Sequence, residues 1–231
     1  MQAVILAAGR GVRLRPLTLN TPKPLVKINN KPILEYTLNA LPNQIDEVIL
    51  VIGYLSDQIK KQFGHHFNNK KISYVKQKEP KGTFHALRQA KPFLKKEFLV
   101  LYADDIYSQK DLNKLLLYKQ AILVRKIKGP SEKFGICLIK NKNLLKEIKE
   151  KEKNIKFTFA NCGAYKLSDK IFKEKIIYGP TGEEYLSSMV GTLAQKNPIH
   201  IVPSNTWQQI TSPEDIKKAE KLLKNKILDK K

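Results

Sequence analysis

Two glycines and an arginine follow the first apolar run of the sequence at a spacing that suits phosphate binding. Gly9 and Gly11 come directly after the run 3–8, and Arg13 follows two residues later. Glycine lets the backbone approach a phosphate closely and present its N–H groups, and an arginine can neutralise a polyphosphate. The segment lacks the lysine and hydroxyl residue of a Walker loop, so it is not one. The alternative to phosphate binding is a glycine turn with surface arginines.

A proline-flanked lysine and an acidic pair could complete a site for phosphates and a metal ion. Lys23 lies between two prolines, and such a stiff, extended segment can hold its ammonium toward the same phosphates. Asp104 and Asp105 follow the apolar run 98–102, where Mg²⁺ would relieve their repulsion by bridging carboxylate and phosphate oxygens. The alternatives are a solvated lysine in a loop and an aspartate that caps the next helix.

The elements that must position these residues alternate along the first half of the chain. Strands are predicted at 3–8, 47–52, 71–75 and 98–102, and helices at 31–41, 56–63 and 83–94, with Ser56 as a helix cap. This alternation predicts helices packed on a mostly parallel sheet, in which ligands bind at the carboxyl ends of the strands. We therefore expect the glycine–arginine loop and the acidic pair to meet at one edge of the sheet.

The second half of the chain has a more mixed pattern. Strands are predicted at 121–127, 134–139, 156–167 and 199–202, helices at 183–193 and 212–228, and a charged, partly helical segment at 144–153. The last helix has a strong start, with Ser212 as cap and Pro213 at the first position. Because no repeat or linker interrupts the chain, we expect one domain over residues 1–231.

Composition and charge restrict the class of protein. The 231 residues, 42% of them hydrophobic, can bury a core, which excludes disorder of the whole chain. Lys and Arg number 43 against 21 Asp and Glu, and the net charge of +22 would suit an anionic partner, but lysines spread along the whole chain favour a solvated surface. Few of these cations are arginines and none interleave with stacking aromatics, so we do not expect nucleic acid. Two cysteines, no membrane-spanning apolar run and no signal peptide predict a cytoplasmic protein without a membrane partner.

Three segments near the start of the chain carry a family resemblance. The motifs L-A-A-G-x-G-x-R-L-x-P-L-T, P-K-P-L and K-P-I-L-E-Y, at 6–18, 22–25 and 31–36, resemble the opening of the sugar-1-phosphate nucleotidyltransferases. The resemblance implies an α/β fold, a Rossmann-like three-layer sandwich with a mostly parallel mixed central sheet. It implies a nucleotide-binding half at 1–120 and a sugar-binding half at 121–231. It also implies attack of a sugar-1-phosphate oxygen on the α-phosphorus of an NTP, with pyrophosphate leaving.

The resemblance also implies which residues bind the nucleotide. Arg13 and Lys23 are the implied catalytic residues, because they would neutralise and orient the phosphates. The nucleotide contacts that it implies are Leu6, Ala8, Gly9, Gly11, Gln77, Gly82 and Thr83. Gln77 and Gly82 keep the spacing with which the family reads a pyrimidine, and the form G-T-x-H-A resembles uridylyltransferases that act on N-acetylhexosamine phosphates. UTP or dTTP is therefore favoured, although Phe84 replaces a residue that is usually small.

For the metal and the sugar, the resemblance implies ligands in both halves of the chain. Asp104 matches the Mg²⁺ ligand of the family, and Gln209 stands where a second, aspartate ligand is usual. An amide oxygen can bind Mg²⁺ but brings no charge, so the affinity should fall. The implied sugar contacts are Gly135, Glu150, Asn161 and Glu183. Glu150 lies in a charge run that is otherwise typical of a solvated helix or strand face.

Other functions stay open at this point. The same fold could transfer a cytidylyl group to phosphocholine or a similar phosphomonoester. Gln209 leaves room for a non-catalytic nucleotide-binding homologue, and the net charge alone would suit a nucleic-acid binder. The sequence shows no acyltransferase repeat after this domain, so we expect a single activity. It does not specify the sugar, the exact base or whether the protein is a homo-oligomer.

Overall fold

Fourteen strands and six α-helices make up the computed structural model, which describes residues 1–128, 134–141, 143–150, 157–179 and 182–228. The strands are β1 Gln2–Ala7, β2 Lys27–Ile28, β3 Lys31–Pro32, β4 Glu47–Ile52, β5 His66–Phe67, β6 Lys70–Lys76, β7 Glu97–Tyr102, β8 Asp105–Ile106, β9 Ala121–Lys128, β10 Gly135–Lys140, β11 Leu144–Glu150, β12 Phe157–Ser168, β13 His200–Pro203 and β14 Gln208–Gln209. The helices are α1 Ile33–Asn39, α2 Ser56–Phe63, α3 Thr83–Ala90, α4 Gln109–Leu116, α5 Leu186–Lys196 and α6 Pro213–Leu228. Among these helices, none combines the length and apolar character that crossing a membrane requires.

Ten of the strands form one mixed sheet in the order β10-β11-β13-β9-β12-β7-β1-β4-β6-β5. The strands β7, β1, β4 and β6 are parallel, as predicted for the first half. The prediction of a mostly parallel sheet is wrong for the second half, where β12 runs antiparallel to β7, β9 and β10. In the same half β10 runs antiparallel to β11, because the connection 141–143 between them is too short for the crossover that parallel neighbours need.

The second half also contains a closed ring of strands that the sequence analysis did not predict. Because β10 pairs with β12 as well as with β11, the strands β9, β12, β10, β11 and β13 close on one another. The long strand β12 belongs to this ring through its first part and reaches β7 through its last part. Consequently a single sheet carries residues from both halves of the chain.

Helices cover both faces of the sheet, because the side chains of the buried strands alternate between two apolar clusters. In β1, Ala3 and Ile5 pack with α1, α2 and α4, whereas Val4 and Leu6 pack with α3 and α5. All six residues of β1 are buried. A strand that is covered on both faces needs apolar residues throughout, which explains the continuous apolar run in this part of the sequence.

Several predicted elements differ from the observed ones. The segment 144–153, predicted to be partly helical, forms strand β11 up to Glu150, and residues 151–153 lie outside the described ranges. Its pairing with β10 and its contact with α5 outweigh the local charge pattern. Ser56 is the first residue of α2 and not its cap, which is Leu55. The helix predicted from 183 begins at Leu186, because backbone hydrogen bonds tie Glu184 to the segment 81–84.

A third, smaller apolar cluster joins the segments that carry the predicted phosphate and metal residues. Leu14 belongs to the arginine loop, Ile106 to β8, and Ile210 follows β14; all three are fully or almost fully buried in this cluster. Residues from α1 and α6 complete it. Burial of this cluster therefore holds three segments together that are far apart in the sequence.

Candidate active site

A cavity of about 510 Å³ opens where β1 and β7 end, at the carboxyl edge of the parallel strands. The predicted site residues that line it are Leu6, Ala8, Gly9, Arg13, Lys23, Gln77, Gly82, Thr83, Asp104, Glu183 and Gln209. The glycine–arginine loop and the acidic pair thus meet at one edge of the sheet, as the strand pattern predicts. The predicted residues outside this lining are Gly11, Gly135, Glu150 and Asn161.

Lys23 and Asp104 form an ion pair inside the cavity. Lys23 lies on a short 3₁₀ turn, is only 8% exposed, and donates a hydrogen bond from Nζ to Oδ2 of Asp104. Gly11 packs closely against the aliphatic part of Lys23. Its backbone has a positive φ of 63°, and a Cβ there would lie 2.9 Å from Cβ of Lys23. The hydroxyl of Thr18 donates to the carbonyl of Gly11 at 2.7 Å and stabilises this turn. Gly11 therefore positions Lys23 without lining the cavity.

Asp104 and Gln209 are brought together by a two-stranded ribbon. In the antiparallel pair β8–β14, Gln209 lies opposite Asp105, and the amide of Ile210 donates to the carbonyl of Asp104 at 3.1 Å. A carboxylate and an amide oxygen are donors that suit Mg²⁺, which commonly takes few protein ligands and completes its shell with phosphate and water. No group of three or more His, Cys, Asp and Glu suited to a metal occurs among the described residues. The donor set therefore fits an ion that is shared with a phosphate.

Asp104 does not cap the following helix, which was the alternative for this residue. The cap of α4 is Ser108, whose Oγ accepts a hydrogen bond from the amide of Asp111 at 3.1 Å. The side chain of Asp104 lines the cavity instead, with 30% of its area exposed. It is therefore available to ligands as well as to Lys23.

Asp105 is a buried residue that the sequence analysis considered only as one member of the acidic pair with Asp104. Its Oδ2 accepts hydrogen bonds from Nε1 of Trp207 at 2.9 Å and from the hydroxyl of Tyr107 at 3.4 Å. Burial and the neighbouring Asp104 raise the pKa of Asp105 well above its ordinary value. The contact with Trp207 ties the segment that leads into β14 to the end of β7, and it thereby helps to place Gln209. An acidic pair at the end of an apolar strand was the only sequence signal for it.

The predicted base-reading residues form one wall of the cavity. Nε2 of Gln77 donates to the carbonyl of Gly82 at 3.1 Å and lies 2.9 Å from Nδ1 of His85. Gly82 has a φ of 105°, and a Cβ there would overlap the backbone of Glu184. The amide of Phe84 donates to the carbonyl of Glu184 at 2.8 Å. These contacts fix the orientation of the Gln77 amide and explain the glycine at position 82.

Phe84, which departs from the family pattern, does not narrow the cavity. Its side chain is 1% exposed and stacks on Phe172 in the core, with ring centroids 6.2 Å apart. The preceding residue, Thr83, lines the cavity, and its Oγ1 accepts a hydrogen bond from the amide of Leu186 at 2.8 Å. The larger residue therefore stabilises the start of α3 without blocking the site.

The predicted sugar contacts Gly135, Glu150 and Asn161 lie on β10, β11 and β12 and are not among the residues that line the cavity. Gly135 pairs with Glu150, and a Cβ at position 135 would lie 2.7 Å from Oε1 of that glutamate. Nδ2 of Asn161 donates to the hydroxyl of Tyr165 at 2.6 Å. The remaining predicted sugar contact, Glu183, lines the cavity itself and accepts a hydrogen bond from the hydroxyl of Tyr185.

Tyr102 connects these strands to the cavity and was missed by the sequence analysis. It lines the cavity at the end of β7, and its hydroxyl is hydrogen-bonded to Tyr165 and Thr83. Burial raises its pKa to about 12, so the phenol stays neutral at physiological pH. The sequence signal for a role of Tyr102 is its place at the end of the apolar run 98–102, two residues before the acidic pair. Tyr102 is therefore suited to hydrogen bonding and not to proton transfer.

Comparison with known proteins identifies the family. A family model described as nucleotidyl transferase matches residues 2–226. The chain is 36% identical over 230 residues to the bifunctional protein GlmU of Methanocaldococcus jannaschii, an alignment that covers 98% of this chain and 55% of that protein. It is 28% identical to the UTP–glucose-1-phosphate uridylyltransferase AglF of Haloferax volcanii, over 96% of both proteins. The chain thus spans about half the length of the GlmU relatives that it matches.

A solved structure shares the fold described above. The crystal structure of UDP-glucose pyrophosphorylase complexed with UDP-glucose superposes with a TM-score of 0.84 and 20% sequence identity, covering 97% of this chain and 98% of that one. The likeness extends over both halves of the mixed sheet. Since the family model covers nearly the whole sequence, the chain belongs to the nucleotidyl transferase family, and the resemblance to sugar-1-phosphate nucleotidyltransferases is confirmed.

Proposed function

We propose that this protein transfers a nucleotidyl group from UTP or dTTP to a sugar-1-phosphate, giving an NDP-sugar and pyrophosphate. One observation carries the proposal: a single cavity unites the cations Arg13 and Lys23, the oxygen donors Asp104 and Gln209, and the amide of Gln77. Such a cavity offers charge for a triphosphate, ligands for a metal ion and a hydrogen-bonding group for a base. A relative named for glucose-1-phosphate uridylyl transfer supports this substrate class.

In this mechanism the cationic side chains neutralise and position the phosphates. The sugar phosphate is already ionised at neutral pH, so no side-chain nucleophile is needed, and catalysis consists of positioning and charge neutralisation. A phosphate oxygen of the sugar forms a bond to the α-phosphorus, while the bond to the bridging oxygen breaks and pyrophosphate leaves with the electron pair. Lys23 stabilises charge at the α-phosphate, and Arg13 stabilises it on the outer phosphates.

Asp104 and Gln209 are the residues that would hold Mg²⁺. When bound, Mg²⁺ neutralises phosphate charge and orients the oxygens of the reacting groups. Because Gln209 contributes no charge, the protein itself supplies a single carboxylate from this pair, and binding should depend strongly on the phosphates. Lys23, which pairs with Asp104, offsets part of that carboxylate charge before substrates arrive.

The orientation of Gln77 supports a uracil or thymine base. Its Nε2 group is directed to the carbonyl of Gly82 and to Nδ1 of His85, which leaves Oε1 as an acceptor. Uracil and thymine carry a donor at N3, whereas cytosine carries an acceptor at N3 and its donor at the exocyclic N4, so an oxygen that faces N3 distinguishes the two kinds of base. This difference favours UTP or dTTP over CTP.

A pyrophosphate-release assay over a grid of nucleotides and phosphate acceptors tests the proposal. With Mg²⁺ present, we expect release with UTP or dTTP and a hexose-1-phosphate. Release with CTP and phosphocholine alone would instead support the cytidylyl alternative. Nucleotide binding without release in any combination would identify a non-catalytic homologue, and salt-sensitive binding of RNA or DNA without turnover would indicate a nucleic-acid binder.

A further inference from the structure

Glu184 is a buried acidic residue between two residues that line the candidate active site. Glu183 and Tyr185 belong to the cavity lining, and the hydroxyl of Tyr185 donates to Oε2 of Glu183. Glu184 lies between them, is not among the lining residues and is only 5% exposed. In an extended segment successive side chains point to opposite sides. The side chain of Glu184 therefore points away from the cavity and into the protein.

The carboxylate of Glu184 forms an ion pair with Arg88 of α3. Nη1 of Arg88 lies 3.5 Å from Oε2 of Glu184, and that oxygen has no hydrogen-bond partner among the residues that the structure describes. Removing a carboxylate from water is costly, and a single contact at this distance offsets only part of that cost. The pair therefore adds little net stability, but it fixes the segment 183–185 relative to α3.

The backbone of Glu184 is also joined to the start of α3. Its amide donates to the carbonyl of Lys81 at 2.8 Å, and its carbonyl accepts from the amide of Phe84 at 2.8 Å. Together with the ion pair, these bonds attach the segment 183–185 to the wall of the cavity that carries Gln77 and Gly82.

The two sides of this junction differ in how firmly other contacts hold them. Helix α3 is anchored by Phe84, Leu87 and Ala90, which are buried in the apolar cluster between α3, α5 and the sheet. The segment 183–185 belongs to no helix and to no strand of the sheet, and it buries no apolar side chain. Loss of the ion pair should therefore displace this segment and leave α3 in place.

We propose that Glu184 is a positioning residue for the sugar-1-phosphate and acts through its neighbours Glu183 and Tyr185. The inference rests on the proposed function and extends it. The ion pair with Arg88 holds the segment so that the carboxylate of Glu183 and the ring of Tyr185 face the cavity before the substrate binds. Side chains that are already ordered lose less entropy when they bind a ligand. Loss of the pair should therefore weaken binding of the sugar phosphate and leave binding of the nucleotide largely unchanged.

Steady-state kinetics of Glu184→Gln, which keeps the shape of the side chain and removes its charge, test this inference. We expect the KM for the sugar-1-phosphate to rise about five- to tenfold and the KM for UTP or dTTP to change less than about twofold. The matched control is Glu174→Gln, because Glu174 is similarly buried and pairs with Lys196 at 2.7 Å outside the cavity lining. It should change neither KM. Thermal unfolding of each variant ensures that folded proteins are compared.

The double variant Glu184→Gln/Arg88→Gln tests whether the two side chains act as one unit. Once the carboxylate charge is gone, loss of Arg88 should have no further effect, so the double variant should have the same KM for the sugar phosphate as Glu184→Gln. Multiplied effects of the two substitutions would show that Glu184 does not act through the ion pair, and would overturn the inference.

Calorimetry provides a second readout that does not require turnover. The Kd of Glu184→Gln for UDP-glucose should rise about five- to tenfold, and its Kd for UDP should change less than about twofold; the dTDP counterparts replace these probes if dTTP is the substrate. Equal weakening of both probes, or weakening of neither, would overturn the inference and leave the proposed function intact. If the wild-type chain releases no pyrophosphate from any substrate pair, the proposed function fails first, and the positioning role of Glu184 fails with it.

Discussion

Lys23 supplies a positive charge to the candidate active site from a position that is almost buried. Its ammonium is directed at Asp104, and Gly11 packs against its aliphatic chain. A buried ammonium is costly unless it is paired, so the surrounding loop must hold both partners in place. The same constraint leaves the charge ordered before any phosphate binds, which is the condition under which electrostatic stabilisation is most effective.

Replacement of Lys23 tests the catalytic role of this charge. We expect Lys23→Ala to lower kcat by at least about 10²–10³-fold, because one pre-positioned charge at the reacting phosphate is lost. The variant should unfold cooperatively, as shown by thermal unfolding followed by circular dichroism. Lys27→Ala, at an exposed neighbouring lysine, is the control and should keep its activity. Near-normal release of pyrophosphate by Lys23→Ala would contradict the role.

Among the elements, the loop between β1 and α1 depends on the backbone of Gly11. This residue adopts a left-handed conformation, and the side chains of Lys23 and Thr18 occupy the space where a Cβ would lie. Leu14, two positions beyond the first 3₁₀ residue, anchors the loop in the third apolar cluster. The loop is therefore held at a turn and at an apolar anchor, with Arg13 between them.

A comparison of Gly11→Ala with Gly64→Ala separates the backbone requirement for glycine from the contact with Lys23. In Gly11→Ala we expect both effects. Strain at positive φ and displacement of Lys23 should follow, with a stability loss of about 1–2 kcal/mol and a marked fall in kcat. Gly64 also has a positive φ, of 56°, but nothing lies within 4 Å of its added Cβ. Gly64→Ala should therefore lose stability and keep its activity. Equal activity losses in the two variants, compared at matched folded fractions, would refute the positioning role of Gly11.

A carboxylate in the first turn of helix α6, that of Asp215, should make the stability of the protein depend on pH. Burial alone would raise the pKa of Asp215, but hydrogen bonds from Thr211 and Ser212 outweigh it and lower the pKa. A carboxylate with a lowered pKa stabilises the folded state above its unfolded pKa of about 3.9, and this contribution is lost as the pH falls through the folded value.

The variant Asp215→Ala tests this contribution. We expect the free energy of unfolding to fall by about 1 kcal/mol at neutral pH, and the difference from wild type to shrink below a pH of about 4. Urea unfolding at a series of pH values measures it. Asp57→Ala, at the first turn of α2 with a side chain 95% exposed, is the matched control. A difference for Asp215→Ala that stays constant down to acid pH would show that its charge is not responsible.

At the scale of the whole molecule, the third apolar cluster connects the three chain segments that form the candidate site. Leu14, Ile106 and Ile210 come from three separate segments, which carry Arg13, Asp104–Asp105 and Gln209. The β8–β14 ribbon pairs two of these segments, and burial of the cluster holds the arginine loop against them. Stability and activity should therefore be coupled here more tightly than elsewhere in the core.

Ile210→Ala tests this coupling. Truncation of the fully buried side chain should cost about 2–5 kcal/mol and lower kcat, since Gln209 is the adjacent residue. Ile72→Ala, at a residue 1% exposed in β6, should cost a similar amount of stability but leave kcat unchanged at temperatures where the protein is folded. If kcat changed equally in the two variants, the third apolar cluster would have no special role in the geometry of the site.

Elements with a strong local pattern could be predicted from the sequence, and those that depend on distant partners could not. The apolar runs of β1 and β4 and the amphipathic helix α2 were recognisable because their patterns reflect their own burial. The charged segment of β11 resembled a helix, because the partners that make it a strand, β10 and α5, lie elsewhere in the sequence. The same limit applies to Tyr102, whose hydrogen bonds reach Thr83 and Tyr165.

The sequence by itself determined the family, the glycine–arginine loop and the residue types that line the cavity, because these are carried by short contiguous motifs. Only the tertiary structure decided that Asp105 is buried against Trp207 and that five strands close into a ring. Each of these depends on strand register between segments far apart in the chain. Register is set by hydrogen bonds and packing with the partner strand, and neither can be read from one segment alone.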